Sequence, residues 1–212
     1  MAGTDEAAIE VPELAAGRRE RKRREVRDRL CAAALDLFVE RGYEAATMDQ
    51  IGERADVARA TVFNYFPQKV AFLEEWGARR RTRVAELLAE QHAADRPAPE
   101  RLRLYLRALA ALNEGSRRES AVLMDAAVHY GRLFQDPSLG LELAGIIRTG
   151  QEDGELRRAP DPDQTGSLLA AGYFSTVLQW GAEPAPFSLT ERLDSLLDLL
   201  LPSLTDPQPR AS

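Results

Sequence analysis

The sequence predicts an all-α protein in which an N-terminal three-helix helix-turn-helix domain precedes a larger helical domain. Between successive Gly and Pro positions, apolar residues recur at the 3.6-residue spacing of a helix face. No stretch alternates with period two over the length of a strand. Composition agrees: 212 residues, 44% hydrophobic and 29% charged, are enough to bury a core and unlike fibrous or disordered chains. The longest apolar run, Leu168 to Leu178, is broken by Gly172, Ser175 and Thr176 and falls short of the roughly 18 residues of a membrane span. Residues 1–17 carry Asp5, Glu6, Glu10 and Glu13 without a basic residue, the reverse of a secretory leader. The expected location is the cytoplasm, with no membrane partner. A single cysteine, Cys31, excludes an internal disulfide framework and a multi-thiolate zinc site.

Taken in order, residues 1–17 read as a disordered acidic tail. The formal net charge is −6, yet residues 18–29 alone hold eight basic and three acidic side chains, or +5. Such a run can sit on phosphates as an arm or a helix extension, and Arg21, Lys22, Arg23 and Arg24 are its candidate phosphate contacts. It also reads as a solvated helix start, because this chain uses 26 Arg and only 2 Lys throughout. Segment 22–41 places Leu30, Ala33, Ala34, Leu37 and Phe38 on one face and ends at Gly42, a helix-stop signal. Cys31 beside Leu30 reads as a small buried hydrophobe. Thr47, Met48, Asp49 and Gln50 match a capping box opening a second helix with Met48, Ile51 and Ala55 on one face. Only Asp56 and Val57 separate it from the next segment, Ala58 to Phe66, which leaves room for a tight turn and nothing else. Residues 18–66 therefore form the helix-turn-helix domain.

Past Pro67, amphipathic segments run over 69–92, 99–114, 117–135, 138–153, 162–181 and 188–201, giving a second domain over 67–205 and a disordered tail over 206–212. The last two are apolar nearly all round and need burial on more than one side. Small residues Ala170, Ala171, Gly172 and Ser175 allow close helix approach. Two such helices meeting a second copy make a four-helix interface. Leu169, Tyr173, Val177, Trp180, Leu193, Leu196, Leu197 and Leu200 are the candidates to line it.

The strings ALDLFVERGYEAATM and DQIGERADVARATVFNYFPQK, over Arg23 to Leu73, resemble the DNA-binding region of the TetR-like (tetracycline-repressor) family of bacterial transcription regulators. A looser likeness covers the string from Ile146 to Trp180. A helix of this size fits the major groove of B-DNA, and the N-terminal residues of the second helix of such a motif meet base edges. Arg59 can fork to guanine O6 and N7; Ala60, Thr61 and Phe63 offer apolar contact to a thymine methyl; Asn64 falls on the same side. The resemblance implies phosphate contacts at Thr47, Tyr65 and Lys69, which would fix register. Val57, Val62 and Phe66 read as core. The family often has Gly, Ser and Gly where this chain has Asp56, Ala58 and Ala60, and Tyr where it has Phe63. Ala58 forfeits a side-chain N-cap unless Asp56 substitutes for it.

For the second domain the resemblance implies ligand sensing and dimerisation. Trp76, Tyr105, Met124, His129, Tyr130, Phe134, Tyr173 and Phe174 are the bulky side chains that could line a pocket, or simply fill the core. Asp125 and His129, at i and i+4, share a helix face. Two His in the whole chain give no metal constellation, and no cofactor is expected. No nucleophile and base pairing or Gly-rich phosphate loop points to an enzyme. The implied function is a dimeric repressor on palindromic double-stranded DNA, released by a small apolar effector. A helical regulator, repressor or activator, that answers a protein partner or no ligand is the second reading.

Overall fold

The structure is a computed structural model that describes residues 10–131, 136–184 and 187–205. Among them are nine α-helices: α1 Glu10–Arg41, α2 Met48–Ala55, α3 Arg59–Tyr65, α4 Val70–Glu90, α5 Ala98–Gly115, α6 Arg117–His129, α7 Ser138–Glu152, α8 Pro162–Ala182 and α9 Leu189–Leu204. The described residues contain no strand, and none of their helices is long and apolar enough to cross a membrane. The chain divides into two compact units, Met1–Phe72 and Leu73–Ser212, so the division falls inside α4 and past Phe66.

The first unit is built on the stripe expected for helix one. Leu30, Ala33, Ala34, Leu37 and Phe38 are buried with Ile51 of α2 and Val62 of α3. Phe66 stacks on Phe72 with ring centroids 4.0 Å apart, while Phe38 meets Tyr43 at 4.9 Å. Cys31 is buried, as its place on this stripe demands. Helix α1 starts at Glu10, twelve residues before the segment that periodicity delimits. Residues 10–17 of the expected tail are therefore helical, a stretch whose sequence has no apolar stripe to announce it. Residues 1–9 and the expected tail 206–212 lie outside the described residues.

In the second unit α7 packs along α8, α6 against α8, and α5 against α9. Small residues make this possible: a side chain on Gly166 would collide with the Gly140 carbonyl, and Gly172 receives Leu196 of α9. Polar stitches fix the register. Glu114 of α5 accepts from the Leu189 amide at 2.9 Å and so caps α9, Asp194 of α9 accepts a two-pronged bond from Arg107 of α5, and Gln151 holds the loop carbonyls of Arg157 and Pro160 at 2.8 Å each.

Leu169, Tyr173, Val177, Trp180, Leu193 and Leu197, expected at an interface between copies, are buried inside the chain itself. Their hydrophobic faces are consumed by α5, α6 and α7, so only Leu196 and Leu200 of that set keep partial exposure. The large apolar side chains left open on α8 and α9 are Leu168, 56% exposed, and Leu199, 79% exposed.

Candidate nucleic-acid interface

Three local features present α3. The Thr47 hydroxyl accepts from the Gln50 amide at 3.2 Å while Gln50 Oε1 accepts from the Thr47 amide at 3.1 Å, completing the capping box that starts α2. Helix α2 ends on Asp56 in the left-handed conformation, φ 52°, which Asp tolerates better than most residues. A Cβ on Gly52 would lie 3.0 Å from both the Val57 carbonyl and the Val62 side chain, so a residue without one lets the turn fold tightly. Helix α3 begins at Arg59 with Ala58 as an N-cap that makes no side-chain bond; Asp56, engaged at the C-cap of α2, does not supply one.

The seven residues of α3 split cleanly by face. Val62 is fully buried, as is Phe66 just beyond the helix, whereas Arg59, Ala60 and Asn64 are exposed and Thr61 and Tyr65 half-buried. Phe63 is 38% exposed. The Arg59 guanidinium stands 5.6 Å from the centre of that ring and donates to Asp49 of α2 at 2.5 Å. Thr47 is exposed; its hydroxyl spends a lone pair on the cap and keeps its proton for another acceptor. Arg21, Lys22, Arg23 and Arg24 are exposed along α1, a helix extension and not a loose arm.

Lys69 is the exception. Its ammonium donates to the carbonyls of Tyr43, Glu44 and Ala46 at 2.6, 3.1 and 2.9 Å and lies over the Tyr43 ring. All three of its N–H donors are engaged on these carbonyls, an arrangement in which Lys69 pins the α1–α2 loop. Burial lowers its pKa, against the opposing charge of Glu44.

In the second unit, a polar cluster lies among α4, α5, α6 and α8. Trp76 donates to Glu119 at 2.8 Å, and the Arg80 guanidinium sits 4.4 Å from the Trp76 ring centre. Arg80 donates to Ser116 at 3.0 Å and Ser120 at 2.9 Å, with Glu119 3.5 Å away, while its buried Nε has no partner. Asn113, fully buried, donates to the Tyr173 hydroxyl at 2.9 Å. Burial pushes the Tyr173 phenol up and lowers the Arg80 pKa, the latter against the pull of Tyr173 and Glu119. Tyr105 hydrogen-bonds Glu142, which also pairs with Arg81 at 3.1 Å.

Of the candidate pocket residues, Trp76, Tyr105, Met124 and Tyr173 are buried and Phe174 is half-buried, whereas His129 and Tyr130 are exposed at the end of α6 and do not face the interior. Phe134 lies outside the described residues. Asp125 and His129 share a helix face, and His129 Nδ1 lies 2.9 Å from the Asp125 backbone carbonyl oxygen. Among the described residues no group of three His, Cys, Asp or Glu could hold a metal ion. Sequence reasoning missed Asp49 and Arg80. A signal for Arg80 exists: Trp76, Arg80 and Val84 fall at i, i+4 and i+8, which puts a charge on a buried stripe.

Residues 30–76 match the model of the bacterial regulatory proteins, tetR family. The HTH-type transcriptional repressor KstR of Mycolicibacterium smegmatis is 28% identical over 197 residues, 88% of this chain and 91% of that one. The HTH-type transcriptional regulator TcmR of Streptomyces glaucescens is 45% identical over 53 residues, 25% of this chain and 24% of its own. The Thermus thermophilus FadR, a TetR-family transcriptional repressor solved with lauroyl-CoA, superposes with a TM-score of 0.71 at 29% identity, covering 88% of this chain and 98% of that one. With its ordered helix-turn-helix, capping box and all-helical second unit, the chain resembles the TetR-like family of bacterial transcription regulators, whose N-terminal domain model its residues 30–76 match.

Proposed function

We propose that this chain is a dimeric repressor whose α3 reads a near-palindromic operator in the major groove and which a small effector releases. The observation that carries the DNA reading is the division of α3: Val62 anchors it from behind while Arg59, Ala60, Phe63 and Asn64 are left outward with no apolar cover. Arg59, Ala60, Thr61, Phe63 and Asn64 are the base readers; Thr47, Tyr65 and the α1 run Arg21 to Arg24 take phosphates. Selection of bound duplexes from a random pool, followed by footprinting, tests this. Two related half-sites about one helical turn apart are expected, and one lone half-site protected by a monomer contradicts it.

The effector reading draws on two supports. FadR of Thermus thermophilus, similar over nearly its whole length, binds lauroyl-CoA. The second is the Arg80 cluster: a buried guanidinium whose neighbours are mainly neutral oxygens, and whose Nε has no partner, suits an acceptor-bearing molecule with an apolar body. Lauroyl-CoA is the first compound to titrate against the protein and operator complex. Release by lauroyl-CoA that Arg80→Met abolishes, with operator affinity intact, supports the assignment. Release unaffected by the substitution removes Arg80 from it. The dimer face is assigned to Leu168, Leu196, Leu199 and Leu200, the apolar side chains of α8 and α9 that the chain does not cover itself.

A further inference from the structure

We propose that Asp49 is a specificity-determining residue of the DNA interface: by holding the Arg59 guanidinium against α2, it keeps Arg59 a reader of guanine and prevents it from serving as a phosphate contact on any sequence. The inference rests on the reading of α3 as the reader.

The geometry is a clamp with two sides. Arg59 Nη1 donates to Asp49 Oδ2 at 2.5 Å, and its guanidinium stands over the Phe63 ring, 5.6 Å from the centre. Asp49 belongs to the first turn of α2 and Phe63 to α3, so the two sides come from the two helices of the motif. Both charged side chains are well exposed, 69% and 51%, and an ion pair in that setting adds little to folding. Its consequence lies elsewhere. A free arginine samples many rotamers, and ordering it on docking costs affinity; an arginine already confined has lost that freedom beforehand.

The DNA then makes the clamp selective. A carboxylate brought close to the phosphates is repelled unless it keeps its cation. Arg59 has five N–H donors; one on Asp49 leaves four, sufficient for a fork to guanine O6 and N7 without abandoning the carboxylate. Adenine presents an N6 amino donor where guanine presents O6, so on an A·T pair the fork loses an acceptor and the clamp stops Arg59 from seeking a phosphate instead. Removing Asp49 deletes both restraints. Arg59 is then free to reach the backbone, which carries no sequence information, and the interface loses one negative charge.

The test uses the full chain and its selected operator, with the base pair facing Arg59 changed to each alternative, together with an unrelated duplex. The facing pair is the one whose preference Arg59→Ala abolishes. Wild type is expected to prefer guanine there by about tenfold or more, within the range of a good bidentate contact. Asp49→Ala and Asp49→Asn should reduce that preference to about twofold, bind the unrelated duplex more tightly, and leave preferences at other positions unchanged; adding Asp49→Ala to Arg59→Ala should change no preference further. Thermal melts of the variants establish that α2 still folds. If Asp49→Ala shifts affinity for all duplexes by one common factor and keeps the guanine preference, the acid acts only as bulk charge and the proposal is overturned. If Arg59→Ala alters no base preference, the assignment of Arg59 as a reader has failed first, and the role of Asp49 with it.

Discussion

Lys69 shows how one side chain can hold a domain together and look like a ligand contact. Its ammonium satisfies three carbonyls in a loop that α1 and α2 leave without regular partners, and hydrogen bonds from a charged donor are worth about 1.5–3 kcal/mol in all but the most exposed settings. Lys69→Met keeps the stem packed on the Tyr43 ring and deletes the donors. We expect it to destabilise the first unit by about 2 kcal/mol, read as a lower urea midpoint at unchanged slope. Operator affinity measured where the variant is fully folded should barely move, since no phosphate contact is lost. A large drop in the salt dependence of binding would return Lys69 to the interface. The same resemblance that implied a phosphate role could not reveal the competing acceptors, because they come from residues 43 to 46, more than twenty positions away.

At the scale of elements, α2 and α3 are contrasting cases. The capping box was readable because both partners lie within four residues, and it is present as expected. Helix α3 has no side-chain cap, also readable from Ala58, whose φ of −59° and ψ of 142° already suit a capping residue. Ala58→Ser should therefore stabilise the first unit by about 1 kcal/mol without altering its backbone, seen as a rise in Tm of several degrees. No rise would mean that the hydroxyl prefers water to the open amides of α3. Between α5 and α9, Asp194 supplies a second test. Burial alone would raise its pKa, but the bonds and charges of Arg107 and Arg103 outweigh burial and hold it below the usual carboxylate range. A carboxylate depressed in the folded state contributes stability above its unfolded pKa, near 3.9, and loses that contribution as pH falls through the lower folded value. Asp194→Asn should thus cost about 1–3 kcal/mol at pH 7, with the difference from wild type shrinking as pH drops below about 4. A pH-independent difference would assign the effect to packing.

For the whole molecule, periodicity told how much of α8 and α9 is apolar but not what covers it. Leu169, Val177, Leu193 and Leu197 have the burial the sequence demands, yet the cover comes from the same chain, because α5, α6 and α7 supply faces whose pairing no local pattern encodes. What remains open on α8 and α9 is narrower: Leu168 and Leu199, with Leu196 and Leu200 partly covered. A two-fold interface uses the same patch on both copies, so a single substitution acts twice. Leu199→Glu introduces two carboxylates into an apolar contact while leaving Leu193 and Leu197 untouched in the core. Sedimentation should show a wild-type dimer and a variant that dissociates at micromolar concentration, with unchanged helical content. Linking two readers makes the second half-site encounter effectively intramolecular, an advantage that reaches about 100-fold or more. The monomeric variant should forfeit most of that on the full operator and bind an isolated half-site as wild type does. A variant that stays dimeric with full operator affinity would place the contact between copies on another face.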